Sequence, residues 1–213
     1  MSLQSETVDN YEVLLKSPSP LDVVDFYNKW TGYDEDLSPV HYRGPPVLAT
    51  TILKYVSDKI VHILDVAAGS GFLALELEKL GYKGSMDGLD PATEFAKQAI
   101  ETGRYKDFYY DFITEKPCSI AEGSFDHVAC CGGLIPGHIH FTGIREMLRL
   151  CKKGGYVFIA MRHDFINEGE QLSGLDDYVK DLISSGICNI VERFVFERYF
   201  YENEGLVIVL KKN

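Results

Sequence analysis

The sequence is short of basic side chains. It contains 21 Lys and Arg against 32 Asp and Glu, so the formal net charge of its 213 residues is −11. A protein that binds nucleic acid normally carries a basic face, but here lysines adjoin only in two isolated pairs, Lys152-Lys153 and Lys211-Lys212. We therefore expect no nucleic-acid partner.

Long apolar runs are also missing. No stretch approaches the roughly 20 apolar residues that a membrane-spanning helix needs, so we expect no membrane partner. The first residues, Met1 to Glu6, have neither the basic start nor the apolar middle of a signal peptide. This start favours a cytoplasmic protein, with the nucleus as a second compartment.

Cysteine is too scattered to form a recognisable disulfide framework or metal motif. The chain has an odd number of cysteines: Cys118, Cys130, Cys131, Cys151 and Cys188. No two of them have the spacing of a zinc knuckle or a redox motif. Free thiols in a reducing compartment are the interpretation that this pattern favours. No metal site is expected.

What the chain does have is the composition of one ordinary globular domain. Hydrophobic residues make up 46% and charged residues 25%, and the length suits a single α/β core. Residues 1–18 are polar and without pattern, which predicts a flexible N-terminal tail. We expect one domain over residues 19–213, with a helical cover at 19–57 and a sheet core at 58–213.

The strongest signal is a strand, a glycine turn and a helix in succession. The apolar run at residues 60–66 predicts a buried strand, and Phe72–Leu80 has helical periodicity. Between them, Gly69 and Gly71 let backbone approach a ligand closely. Dinucleotide sites usually keep the strand end apolar, whereas this strand ends at Asp65. An acid there suits a cationic group of the ligand, such as an ammonium.

A second acid follows the next predicted strand. Asp90 closes the segment that begins at Gly84, nineteen residues after Gly71. One carboxylate at this position can accept from both hydroxyls of a ribose. Because Pro91 follows, Asp90 also suits a helix cap, and the two roles can coexist.

The rest of the chain continues the alternation of strands and helices. Predicted strands three to five cover residues 106–110, 125–131 and 156–161, and helices cover 19–32, 46–57, 144–151 and 175–183, with another starting at Pro91. Two β-rich runs, 190–201 and 206–210, are separated by too few residues for a crossover helix and must form an antiparallel hairpin. We predict an α/β, doubly wound, Rossmann-like sheet of seven strands, the last antiparallel, with helices on both faces.

These motifs resemble a known family. Leu64–Gly71 followed by Gly88–Ala92 is similar to the cofactor signature of class I S-adenosylmethionine-dependent methyltransferases, which usually have glycine where this chain has Ala67. The aromatic series within residues 26–43 is similar to that of the methyltransferase-like protein 27 type, from the Williams–Beuren region. The family also has the same terminal hairpin.

The resemblance implies a cofactor and a set of contacts. The cofactor is S-adenosyl-L-methionine and the product S-adenosyl-L-homocysteine. In the family an acid after strand three contacts the adenine amino group and the next residue packs on the ring, which are Asp111 and Phe112 here; a turn role for Asp111 stays open. The implied cofactor residues in the sheet core are Asp65, Ala67, Gly69, Gly71, Asp90, Pro91, Asp111, Phe112 and Cys131.

Three residues of the predicted cover are further candidates for cofactor contacts. Arg43 matches the methionine carboxylate bidentately, or pairs instead with an acid at position 34 or 36. Tyr33 belongs to the same segment, expected to lie over the turn. Trp30 is either a core anchor or a cation–π partner of the sulfonium.

One histidine is a candidate for catalysis. His138 follows strand four, where these enzymes place the substrate or a general base, and histidine titrates near neutral pH. It also suits a surface or helix-cap position, and with His140 it could form part of a zinc pair, although no third ligand stands at a familiar spacing.

The predicted function is methyl transfer from S-adenosylmethionine to a small-molecule acceptor, by a protein that we expect to be a monomer. Two alternatives stay open. One is a non-catalytic module that binds the cofactor or its demethylated product. The other is a nicotinamide-dependent oxidoreductase, against which Asp65 and the terminal hairpin argue.

Overall fold

The computed structural model describes residues 19–30, 37, 41–56, 60–167 and 170–213. The predicted tail at 1–18, Tyr33 and the acids at positions 34 and 36 lie outside these residues. In the described part, no helix is long and apolar enough to cross a membrane.

The described elements follow the predicted order. The α-helices are α1 Pro20–Tyr27, α2 Gly44–Tyr55, α3 Phe72–Lys79, α4 Thr93–Glu101, α5 Ile144–Leu150 and α6 Leu175–Ser184. Short 3-10 helices lie at Phe141–Gly143 and His163–Ile166. The strands are β1 His62–Val66, β2 Ser85–Leu89, β3 Tyr105–Tyr109, β4 His127–Cys131, β5 Tyr156–Arg162, β6 Cys188–Phe200 and β7 Asn203–Lys212.

The seven strands form one sheet in the order β3-β2-β1-β4-β5-β7-β6. The pairs among β1 to β5 are parallel, and β7 runs antiparallel to both β5 and β6. This confirms the predicted doubly wound sheet with an antiparallel last strand. Strand order reverses between β1 and β4, and ligands of such sheets bind beside that reversal, at the carboxyl ends of the strands.

Alternate residues of the strands face two helical layers. Leu64 of β1 and Val128 of β4 belong to an apolar cluster with α5 and α6. Their neighbours Ile63 and Ala129 belong to a second cluster with α2 and α3. Helix α2 is thus packed on the sheet, while the apolar residues of α1 form a small cluster of their own around Val23 and Trp30.

Several helix boundaries differ from the prediction, including the start of α2, which lies at Gly44 and not at residue 46. Helix α1 starts as expected, with Ser19 accepting from the backbone N–H of Asp22, but it ends at Tyr27 and not near residue 32. The side chain of its C-cap, Asn28, accepts from the backbone N–H of Glu94. Helix α4 begins at Thr93 and not at residue 91, because the preceding turn is held by a side chain described below.

Candidate functional site

A cleft opens at the carboxyl ends of β1, β2 and β4 and beside the turn after β3. Its volume is about 1060 Å³ when the mouth that is open to solvent is included. Helix α1 contributes Val23, Val24 and Tyr27 to one wall. Nine of the predicted site residues line it: Asp65, Ala67, Gly69, Asp90, Pro91, Asp111, Phe112, Cys131 and His138.

The glycine turn has an unusual backbone. Ala67, Gly69 and Gly71 all have positive φ, at 55°, 54° and 97°. Gly71 is the N-cap of α3 and lies behind the turn, where a Cβ would stand 3.3 Å from the ring of Tyr105. The left-handed region costs a non-glycine residue roughly 1–2 kcal/mol. The turn thus keeps its shape although Ala67 replaces the glycine usual in the family.

Ala67→Gly should therefore stabilise the protein slightly. Relief of the left-handed strain is offset in part by the extra chain entropy of glycine, roughly 0.5–1 kcal/mol, so the expected gain is about 0.5–1 kcal/mol. Urea unfolding would measure it. The matched control is Ala68→Gly, at a neighbouring position without positive φ, which should destabilise. Equal losses in both variants would contradict this account.

Asp65 is a buried acid at the end of β1. Its side chain is 2% exposed, and its Oδ2 accepts a hydrogen bond from the hydroxyl of Tyr105 at 2.7 Å. Burial raises the pKa of Asp65 to about 7, although the Tyr105 hydrogen bond opposes this shift. A carboxyl whose pKa is raised by burial binds either a proton or a cationic group, because an unpaired charge is costly where little water reaches it.

Asp90 links the glycine turn to the start of α4. Its Oδ2 accepts from the backbone N–H of Gly69 at 2.9 Å, and its Oδ1 accepts from that of Ala92 at 2.8 Å. Burial raises its pKa to about 6, and the two backbone hydrogen bonds oppose the shift. The second bond holds residues 90–92 in a turn and delays α4 to Thr93. Each carboxylate oxygen keeps further acceptor capacity, so this cap is compatible with a ribose contact.

The adenine candidates lie on the rim. Asp111 Oδ1 accepts from the backbone N–H of Phe112 at 2.8 Å, so the acid also has the turn role left open above. Phe112 is among the exposed large apolar side chains of the described residues. An exposed ring at the mouth of a cleft is available for stacking on a flat ligand.

Besides Gly71, two predicted contact residues of the N-terminal segment do not line the cleft. Arg43 Nη1 donates to the backbone carbonyl of Glu197 at 3.1 Å, which argues against its predicted contact with a cofactor carboxylate. Trp30 is buried beside Phe26 and Tyr27 and lines a smaller cavity next to the cleft. Its ring thus has the anchoring role that the sequence left open.

His138 makes two hydrogen bonds that fix its tautomer. Its Nδ1 lies 3.0 Å from the carbonyl oxygen of Pro136, and its Nε2 lies 2.9 Å from the hydroxyl of Tyr27. A carbonyl only accepts, so Nδ1 carries the proton and the neutral ring accepts at Nε2 from Tyr27. Burial lowers the pKa of His138 to about 4, which keeps the ring neutral. His140, by contrast, caps the 3-10 helix at Phe141–Gly143.

Sequence reasoning missed several polar groups of this region. Ser70 is buried in the cleft wall, and its Oγ has no hydrogen-bond partner within the residues that the structure describes. Tyr27, Tyr42 and Tyr105 also take part. In the sequence Tyr27 belongs to an apolar helix face, while Tyr42 and Tyr105 stand next to charged residues without a pattern that indicates a site. The position of Ser70 between two turn glycines was a usable signal.

Comparison with known proteins adds to this geometry. A methyltransferase-domain family matches residues 63–155. Human methyltransferase-like protein 27 is 33% identical over 146 residues, which are 67% of this chain and 58% of that protein. The chain thus spans less than two thirds of the length of the curated relative that it matches.

Solved structures show the same fold. Magnesium protoporphyrin IX methyltransferase from Synechocystis PCC 6803, solved with bound S-adenosylmethionine, has a TM-score of 0.65 at 12% identity, over 91% of this chain and 97% of that one. The [4+2]-cyclase SpnF has a TM-score of 0.60 at 17% identity, over 78% and 81%. A fold shared with a cyclase does not by itself specify methyl transfer, so the reaction must be argued from the cleft.

Proposed function

Because this chain belongs to the class I S-adenosylmethionine-dependent methyltransferases, we propose that it transfers the cofactor's methyl group to a small-molecule acceptor. The product would be S-adenosylhomocysteine. We propose further that the protein acts as a monomer in the cytosol. The membership confirms the resemblance found in the glycine turn.

The observation that carries the proposal is the row of acids at one edge of the sheet. Asp65, near the end of β1, would bind the ammonium of the methionine moiety. Asp90 would bind the ribose hydroxyls and Asp111 the adenine amino group, with Phe112 against the ring. All four residues line one cleft. A cationic ammonium also explains why a buried acid is tolerated at the end of β1.

The methionine carboxylate needs a different partner from the one that the sequence suggested. Ser70 offers a buried hydroxyl in the cleft wall, next to the N-terminus of α3, where backbone N–H groups and the helix dipole favour an anion. We therefore assign the carboxylate to Ser70 and the start of α3.

Ser70→Ala should weaken S-adenosylmethionine binding by about 1.5–3 kcal/mol, the scale for a hydrogen bond to a charged group. Arg43→Met is the matched control and should leave the affinity unchanged, since Arg43 does not line the cleft. Calorimetry measures the affinity of each variant for the full cofactor and for an analogue that lacks the carboxylate. Equal losses for the two ligands in the Ser70 variant would contradict the assignment.

A nicotinamide dinucleotide fits this cleft poorly. Its pyrophosphate would lie at the glycine turn, close to the buried carboxyl of Asp65. Like charges in a site of low dielectric repel strongly. Asp90 does not discriminate between the two cofactors, since an acid after the second strand also accepts from the ribose of NAD, whereas Asp65 suits a ligand with an ammonium.

The reaction itself asks little of the protein. The sulfonium of the bound cofactor supplies an activated methyl group, and the protein has to hold the acceptor in line with it. In well-aligned systems such positioning accounts for roughly 7–11 kcal/mol of the barrier. The apolar wall from α1, including Val23 and Val24, would restrict water at the reacting atoms.

Calorimetry with S-adenosylmethionine, S-adenosylhomocysteine and NAD⁺ tests the proposal. We expect the first two to bind and NAD⁺ to bind far more weakly; the reverse order would overturn it. Incubation with methyl-labelled cofactor and separate small-molecule and protein pools then tests turnover. Label should appear in the small-molecule pool. Cofactor binding without labelling of either pool would instead favour the non-catalytic alternative.

A further inference from the structure

Strand β6 forms one edge of the sheet and is long for an edge strand. It spans 13 residues, Cys188–Phe200, and over residues 188–196 its backbone pairs only with β7 among the residues that the structure describes. Edge strands are usually short, because their unpaired N–H and C=O groups can pair with another chain. The opposite edge, β3, has only 5 residues and carries two exposed charges, Lys106 and Asp107. The edge that a partner can extend is therefore β6.

The uncovered part of this edge ends near Glu197. Residues 41–43 lie against the strand beyond it, and Arg43 Nη1 donates to the backbone carbonyl of Glu197. Arg198 has a φ of 60°, outside the range of a regular strand. The regular and uncovered run is thus residues 189–196.

Apolar side chains are exposed along this run. Ile190, Val191 and Val195 are 40%, 39% and 41% exposed. Phe194 and Phe196 are half-buried on the face of the strand that packs towards α2. A long edge strand with exposed apolar side chains is the kind of surface that association with another chain covers.

The charges around Val195 are arranged symmetrically but with opposite sign. The sequence reads Glu-Arg-Phe-Val-Phe-Glu-Arg over residues 192–198. When the same run is read backwards, each acid meets a base and each base meets an acid. Phe194 meets Phe196, and Val195 meets itself. Two such strands, paired antiparallel around Val195, therefore place opposite charges against each other at every charged position.

The structure places the inner charges of this run on one face of the strand. Arg193 and Val195 stand opposite residues of β7 that belong to the apolar cluster with α5 and α6, and strand alternation puts Glu197 on the same face. In the antiparallel pair, Arg193 of each chain lies opposite Glu197 of the other, on either side of the two Val195 side chains. Arg193 Nη2 also lies 3.2 Å from Asp176 Oδ1 of its own chain, which holds the guanidinium on this face.

The outer charges contribute less to such a pairing. Glu192 accepts from Lys54 and Tyr55 of its own chain, and Arg198 stands beyond the regular strand. The pairing is thus limited to the inner residues and buries little surface. We expect a weak and reversible dimer, with a Kd of order 100 µM.

We propose that β6 is a self-association edge, at which a second copy of this chain pairs antiparallel around Val195 and continues the seven-stranded sheet into that of its partner. The interface is isologous, with the two-fold axis between the two Val195 residues. No residue that lines the cofactor cleft belongs to β6. Each chain therefore keeps a complete site and acts alone, as proposed above, while the dimer forms as the concentration rises.

Charge reversal tests both the edge and its register. Arg193→Glu places two acids opposite each other at both charge pairs, and Glu197→Arg places two bases there. We expect each variant alone to dimerise at least ~10-fold more weakly than the wild type. An equimolar mixture of the two variants restores opposite charges at both pairs. It should form a mixed dimer with a Kd within ~3-fold of the wild-type value.

Sedimentation velocity of the full chain from ~10 µM to ~500 µM measures these affinities, at ~0.15 M salt to screen the net charge of −11. Lys106→Glu, a charge reversal on the opposite edge strand, is the matched control and should associate like the wild type. Val195→Lys places two like charges at the axis and should abolish the dimer. Urea unfolding of each variant confirms that it is folded.

Three results would overturn the proposal. A wild-type protein that stays monomeric over this range would leave the edge to a different chain. A wild-type dimer that neither charge reversal weakens would place the interface elsewhere. A mixture that associates no better than its two components would exclude the register around Val195. These measurements need no cofactor, so their failure leaves the proposed methyl transfer untouched.

Discussion

Asp90→Ala should weaken the binding of S-adenosylmethionine by about 1.5–3 kcal/mol, the range for hydrogen bonds to a charged group, which is roughly a 10- to 150-fold loss of affinity. Two losses add up. The ribose loses its acceptor, and the turn loses the carboxylate that accepts from Gly69 and Ala92. The fold should survive, because β2 and α4 keep their packing.

Calorimetry and urea unfolding of the same variant separate the two effects. Asp107→Ala is a suitable control, since Asp107 is an exposed acid on β3 that does not line the cleft. It should change neither affinity nor stability measurably. A folded Asp90 variant with unchanged cofactor affinity would reduce Asp90 to a cap of the turn.

Asp65→Asn should make the free protein more stable at pH 8 and abolish tight cofactor binding. The native carboxyl has a pKa raised to about 7 by burial, so above that pH the fold carries a poorly solvated charge. Asparagine removes the charge and still offers an oxygen to the Tyr105 hydroxyl. The free energy of unfolding should rise by about one to a few kcal/mol. In exchange the cofactor's ammonium loses its partner, a trade-off between stability and binding that is common at binding sites.

The pH dependence of stability has a definite sign. The folded state holds the Asp65 proton more tightly than the unfolded chain, whose aspartates titrate near pH 4. The stabilisation from proton uptake is therefore complete at low pH and is lost as the pH rises through about 7. Asp90, with a pKa of about 6, acts in the same direction. His138, with its lowered pKa, acts oppositely at lower pH.

Urea unfolding between pH 6 and pH 8, with and without saturating S-adenosylhomocysteine, measures how the free energy of unfolding depends on pH. Free wild-type protein should lose stability across that window more steeply than Asp65→Asn. The ligand's ammonium favours the ionised carboxyl, so it should flatten the wild-type profile. Parallel profiles for wild type and variant, with and without ligand, would show that Asp65 does not titrate there.

The sheet was predictable because its signals are local. Strands β1, β4 and β5 are mostly apolar runs with a polar residue or a glycine at or next to their carboxyl ends, and parallel topology brings these ends to one edge. Asp65, Asp90 and Asp111 lie at or just after the carboxyl ends of three successive strands and line one cleft in the structure. Knowledge of the fold class was therefore enough to bring them together.

The N-terminal contacts were less predictable because they depend on distant parts of the chain. The backbone N–H of Arg43 donates to the carbonyl of Tyr199, and Tyr42 forms a bridge with Phe200. These contacts with the end of β6 place the Arg43 guanidinium against Glu197 instead of the cleft. No local pattern near residue 43 encodes that pairing.

The contact between Tyr27 and His138 was also unpredictable, because it too joins distant parts of the chain. The spacing of Tyr27 in α1 fits an apolar helix face, and no sequence pattern predicts its hydrogen bond to His138, which lies 111 positions further along the chain. Only the packing of α1 against α4, with the Tyr27 and Phe95 rings 5.2 Å apart, brings the two together. Polar roles of buried aromatic residues generally need the tertiary structure.

A crystal structure with S-adenosylhomocysteine tests the central claim most directly. We expect the ligand's ammonium within hydrogen-bond distance of Asp65, roughly 2.6–3.2 Å, and both ribose hydroxyls at Asp90. The adenine should lie at Asp111 and Phe112. A ligand bound with its ribose away from Asp90, or with its carboxylate and not its ammonium beside Asp65, would contradict the proposed reading of the cleft.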